Sequence, residues 1–246
     1  MTGQVTSPGL ARRTPAVWRD FAAFLRRPML PERMTGIRPA AVARTLQLFV
    51  LDLVLMTLFL ALIGLAAQLG FKAPENAIDK LRLGPLALAA IVVVLPMAEE
   101  MVFRSWLSGR PGHVTAAVTL LVGVAIPVIS GPQGHPVLVL GSVAIAIAVA
   151  IGLAAWLRKH PPMPFFRRHF AWFYFASSVV FALAHLSNYS QIAVLSLLPL
   201  VVPQLLVGLI LGYARVTYGL WSDMLLHMMH NGLLIGLVVL QKGMGG

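Results

Sequence analysis

The stretch Leu86–Leu107, LALAAIVVVLPMAEEMVFRSWL, decides the fold. It exceeds the roughly 20 apolar residues that a helix needs to cross a bilayer. Yet it carries Glu99, Glu100 and Arg104 in its second half. An ionised side chain at bilayer depth costs about 3 kcal/mol on insertion scales, so such groups mark a functional site by default.

The rest of the chain agrees with a membrane setting. Of its 246 residues, 59% are hydrophobic and only 11% charged; soluble domains carry about 25% charged residues. The expected fold is all-α, a polytopic helical bundle with about seven transmembrane spans. These fall near 46–70, 84–108, 114–130, 136–157, 170–187, 191–214 and 219–241. Residues 1–45 form a basic N-terminal segment, and 46–241 the transmembrane domain. That first segment lacks the early apolar core of a secretory signal. Within it, Val17, Phe21, Phe24 and Leu25 share a helical face, the pattern of a helix at the membrane interface. With no cysteine, the chain has neither a disulfide framework nor a thiolate metal site.

The net charge of +11 does not point to nucleic acid, because the basic residues lie between apolar spans. It reports topology instead. Fourteen Lys and Arg, from Arg12 to Arg215, fall in segments on the N-terminal side of the bilayer. Four fall on the other side (Lys72, Lys80, Arg82, Lys242), and Arg104 lies within a span, which accounts for all 19. The positive-inside rule then places the N-terminus in the cytoplasm. The expected location is a bacterial inner membrane. Aromatic residues from Phe165 to Phe175, with Trp106 and Trp221, read as interfacial anchors. His113, His135, His160 and His169 lie in loops or at helix ends and read as interfacial too. Gly208 and Gly212 form a small-xxx-small pattern for close helix packing.

Two other spans carry polar intrusions: Phe181 with His185, and Asp223, His227, His230 and Asn231. At 1.5 Å per residue Glu99 lies roughly 13 Å from the inner end of its span, and His227 roughly 12 Å. His185 lies roughly 16–22 Å deep, depending on where its span begins. The polar run Ser187–Gln191 follows it, and such backbone at depth suits a wet cavity. Comparable depths predict one pocket, open to the inner side. Glu100 and Arg104 are i, i+4 and can pair, which leaves Glu99 the freer carboxylate. Asp223, His227 and Asn231 share a face, so Asp223 could orient the His227 imidazole. His230 beside them could add a ligand or only bond within the bundle.

Glu99-Glu100-xxx-Arg104, Phe181-xxx-His185 and His227-xxx-Asn231 together resemble the three motifs of the CPBP family. These are the intramembrane CAAX prenyl proteases and bacteriocin-processing peptidases, also called Abi proteins. Gly219-Leu-Trp resembles the lead-in to the third motif. The resemblance implies an intramembrane endopeptidase acting on a peptide or membrane-associated protein. It implies that Glu99 and His185 activate the attacking water. His227 and Asn231 would steady the oxyanion, while Arg104 and Glu100 hold the first motif in shape, Glu100 standing near the water, and Phe181 supports the site. Metal use stays open: Glu99, His185 and His227 could hold Zn²⁺, or a glutamate–histidine pair could work without metal. No HExxH is present. The interval between the first two motifs is long and predicts an added helical hairpin near 113–157. A non-catalytic scaffold or immunity protein that binds peptides in the same cavity is the alternative. A proton-coupled transporter is disfavoured by the lack of internal repeats.

Overall fold

A computed structural model describes residues 10–71, 84–130, 135–189 and 194–244. Lys72, Lys80, Arg82, Ser190 and Gln191, which entered the topology and pocket expectations, lie outside the described residues, as does the side chain of Lys242. The regular elements among the described residues are all helices, with no β-strand: α1 Leu10–Arg26, α2 Pro39–Gln68, α3 Pro85–Ala89, α4 Leu95–Phe103, α5 Pro111–Ser130, α6 Pro136–Trp156, α7 Pro164–Arg168, α8 Phe170–Ala184, α9 Val194–Thr217 and α10 Leu220–Met244. Proline opens many of them, where its missing N–H costs nothing and its fixed φ suits the first turn. One π-turn, Ala90–Val94, joins α3 to α4 as a single membrane-length helix.

Five helices are long and apolar enough to cross a membrane: Pro39–Gln68, Pro85–Phe103, Pro136–Trp156, Phe170–Asn188 and Leu220–Gln241. Pro111–Gly123 and Val201–Thr217 are shorter apolar helices in the third and sixth positions. Hence the order of seven apolar helices agrees with the sequence expectation, and the chain is an integral membrane protein. The first span starts at Pro39, seven residues earlier than the sequence suggested. The added hairpin is present: α5 packs along α6, so closely that a Cβ on Gly123 would overlap Ala146.

α1 packs on the bundle through the apolar face read from sequence: Val17 and Phe21 are buried, and Phe21 packs against Tyr213 of α9 at 5.4 Å. The aromatic run is only partly an anchor. Trp172 and Phe165 are exposed, but Phe166, Phe170 and Tyr174 are core residues under α9. Apolar aromatics suit a packed interior as well as a headgroup layer.

The α8–α9 contact explains the two glycines. A Cβ on Gly212 would stand 2.9 Å from the Tyr174 ring, and one on Gly208 3.3 Å from the Ser178 carbonyl. Tyr174 then reaches across and donates to the Leu209 carbonyl at 2.6 Å. This close approach brings α8, with Phe181 and His185, against the helices that carry the other polar groups.

Candidate active site

Glu99 and Glu100 leave α4 in different directions, as a 100° turn per residue requires. Glu100 points inward and is fully buried; the Glu99 side chain keeps 31% exposure. Glu100 Oε1 accepts from Arg104 Nη1 at 2.5 Å and from His227 Nδ1 at 2.7 Å. One carboxylate oxygen thus ties the first motif to the third.

Arg104 sits where α4 ends. Its φ of −131° breaks the helix, and a 3₁₀ turn, Ser105–Ser108, follows. A helix end leaves carbonyls without partners. Here Arg215 of α9 supplies them, donating from Nε to the Arg104 carbonyl at 3.1 Å and from Nη2 to the Ser105 carbonyl at 2.9 Å. Arg215, counted from sequence as a loop charge, is only 3% exposed. The Arg104 guanidinium lies 4.0 Å over the Phe181 ring, a cation–π contact. The same ring meets His185 at 4.4 Å and His227 at 5.7 Å between centroids. Phe181 therefore sets the position of both imidazoles and the arginine at once.

The imidazoles have defined polarity. His185 Nδ1 lies 2.8 Å from the Phe181 carbonyl, which can only accept, so Nδ1 carries the hydrogen. The Nδ1 of His227 donates to Glu100 in the same sense. Both rings therefore turn Nε2 toward Glu99, whose Oε2 stands 3.7 Å from His185 Nε2 and 3.8 Å from His227 Nε2. These distances are too long for direct hydrogen bonds. Glu99 Oε2 is nevertheless buried and has no hydrogen-bond partner.

Two imidazole nitrogens and a carboxylate are chemically suitable zinc donors. Donors about 2.1 Å from a tetrahedral ion stand about 3.4 Å apart, closer than these pairs. Among the described residues, no group of three or more His, Asp or Glu is gathered closely enough to hold a metal ion.

The remaining sequence candidates divide. The Asn231 amide donates to the Ile91 carbonyl at 3.1 Å, inside the π-turn, where the wider ring alters the usual carbonyl pairing. Asp223 does not orient His227, a role that Glu100 fills; its Oδ1 accepts from the Met224 N–H at 3.1 Å. Face-sharing along one helix did not reveal that a carboxylate from another helix stood nearer. His230 bonds within the bundle, its Nδ1 lying 2.7 Å from Asp52 Oδ2. Asp52 was not singled out from sequence, although an acid inside the first apolar span carried the same signal as Glu99.

A cavity of about 430 Å³ begins at Glu99 and His185 and is bounded by α2, α4, α9 and α10. His230 and Asn231 lie on its wall. The pocket extends from Glu99 away from the Arg104 end of α4. Its outer walls are formed by Leu60 and Ile63 of α2, Ile91, Gln204 of α9 and Leu234 of α10. All of these lie on the opposite halves of their helices. Depth along a helix fixes the level of a group but not the direction in which the bundle is hollow.

A family model described as type II CAAX prenyl endopeptidase Rce1-like matches residues 82–233, more than half of the chain. That range holds all three motifs but neither α1 nor α2. No curated protein and no solved structure matches the chain.

Proposed function

The chain belongs to the Rce1-like type II CAAX prenyl endopeptidase family, and on that premise we propose that it is an intramembrane endopeptidase using a water activated by Glu99 and His185. The substrate is a peptide or membrane-associated protein. One observation carries the reading: the unpartnered, buried Oε2 of Glu99 faces two imidazole Nε2 atoms at 3.7 and 3.8 Å, at the floor of a cavity. A polar molecule placed between them satisfies an acceptor that would otherwise be costly to bury.

Glu99 takes a proton from the water, and the oxygen adds to the peptide carbonyl carbon. His185 Nε2 accepts a hydrogen bond from the same water and orients it. His227, held by Glu100 through Nδ1, presents Nε2 to the developing oxyanion. The Asn231 amide provides a donor there. Glu99 then returns its proton to the leaving amine as the C–N bond breaks. Glu100, Arg104 and Phe181 are positioning residues in this scheme. The donor spacing favours this metal-free sequence, so no step runs through Zn²⁺.

The test is cleavage by the purified protein in liposomes, against a library of membrane-inserting peptides read by mass spectrometry. Glu99→Gln and His185→Gln each lower turnover by roughly 10²-fold or more while peptide binding persists. Turnover retained by Glu99→Gln rejects the mechanism. Binding without turnover in the wild type favours a scaffold.

A further inference from the structure

α4 carries a proline where a helix tolerates it least. Pro96 stands inside the continuous membrane-length helix Pro85–Phe103, one turn before Glu99 and Glu100, and it is buried. A proline there withholds an N–H, and its ring crowds the carbonyl four residues back, here that of Val92. The π-turn Ala90–Val94 falls at this spot and gives the ring room. In it the Leu95 N–H bonds to the Ala90 carbonyl, five residues back. The next bond of that pattern would run to the Ile91 carbonyl from residue 96, which has no N–H. Leu95, the donor that an ordinary α-helix would use, is already engaged. The Ile91 carbonyl is thus left without a partner from its own helix.

A carbonyl in that state needs a donor. Asn231 supplies it, its Nδ2 standing 3.1 Å from the Ile91 oxygen. α10 approaches the π-turn closely enough for this: a Cβ on the neighbouring Gly232 would stand 3.4 Å from Val92 Cγ1. Ile91, Glu99 and Asn231 all line the same cavity. The contact also settles which way the amide faces. A carbonyl only accepts, so the nitrogen of Asn231 and not its oxygen turns to Ile91. One amide hydrogen is engaged there, and the other remains for a second acceptor. Glu100 holds the ring of His227; the π-turn does the same for the amide one turn further along α10.

We propose that Pro96 is a positioning residue. By withholding its N–H it frees the Ile91 carbonyl to lock the Asn231 amide, leaving one amide hydrogen for the substrate. That this hydrogen meets an oxyanion rests on the peptidase reading; the lock itself does not.

An N–H at position 96 gives the carbonyl a backbone donor in either geometry: from residue 96 itself in the π-turn, or from Leu95 once the turn closes to an α-helix. Thermal unfolding in detergent is therefore read for the full chain, for Asn231→Ala, for Pro96→Ala and for the double variant. Asn231→Ala alone strands the carbonyl and lowers apparent Tm by about 5 °C. In the Pro96→Ala background the same change lowers it by less than half as much. Equal losses in the two backgrounds overturn the proposal. Pro96→Val repeats the cycle if Pro96→Ala fails to accumulate. Cleavage in liposomes gives the functional readout. Pro96→Ala lowers kcat about tenfold and leaves KM unchanged, as a displaced rather than a deleted oxyanion donor requires; an unchanged kcat overturns the positioning role. A coupled cycle in a wild type that cleaves nothing keeps the lock and rejects the peptidase reading.

Discussion

Replacing the two adjacent glutamates one at a time by glutamine separates architecture from chemistry. Glu100 Oε1 accepts from Arg104 and His227, and all three side chains are at most 2% exposed. Glu100→Gln keeps an oxygen in place but leaves Arg104 a buried cation without its carboxylate. Removing one partner of a buried ion pair costs about 3–5 kcal/mol. The Phe181 ring and the surviving amide oxygen offset part of this, leaving about 2–3 kcal/mol. For a chain of this length that is a fall of roughly 5–10 °C in apparent Tm. Cleavage falls by roughly 10–30-fold, the loss of one charge-assisted hydrogen bond to His227. Glu99 behaves in the opposite way. Its side chain is 31% exposed and its Oε2 holds no partner, so little of the fold depends on it. Glu99→Gln leaves Tm unchanged and lowers cleavage by roughly 10²–10⁴-fold, the scale of a lost general base. The assay pairs thermal unfolding in detergent with initial cleavage rates in liposomes. A Glu100→Gln variant that melts like wild type, or a Glu99→Gln variant that melts early, refutes this division of roles.

Three further outcomes follow from the packing and the donor set. The Asp52–His230 contact joins α2 to α10 at 2.7 Å; a double-mutant cycle with Asp52→Asn and His230→Gln gives a coupling of about 1.5–3 kcal/mol in unfolding, and a coupling near zero rejects the pair. Gly212→Ala forces its Cβ against Tyr174, fully buried and bonded to the Leu209 carbonyl, and so lowers stability by about 1–3 kcal/mol; a neutral effect on Tm would show that α8 and α9 can part. Dialysis against a strong chelator leaves the cleavage rate unchanged, whereas a loss restored by added Zn²⁺ would show that Glu99, His185 and His227 close around an ion.

The all-helical membrane fold was legible because hydrophobic runs of spanning length have few other solutions. The polar groups were legible for the converse reason: Glu99, Glu100, Arg104, His185 and His227 are costly where they stand. Asp52 obeyed the same rule and was passed over, since a single acid in a long span matches no motif. Arg215 was read as a loop charge because burial at a helix end is set by what packs over it. The direction of the cavity was also hidden. It depends on which helix ends splay apart, and above all on α2, whose apolar face looks like any lipid-facing surface. Phe181 shows how much a motif can conceal: a lone aromatic in sequence proves to be the surface on which Arg104, His185 and His227 all rest.

The most direct test of the central claim is a map of new protein termini in membranes of cells expressing the wild type, Glu99→Gln or no protein. Termini that appear with the wild type and vanish with Glu99→Gln, at equal abundance of the two proteins, are the expected result, and their sequences name the substrates. Identical maps from the wild type and Glu99→Gln would contradict a Glu99-dependent peptidase.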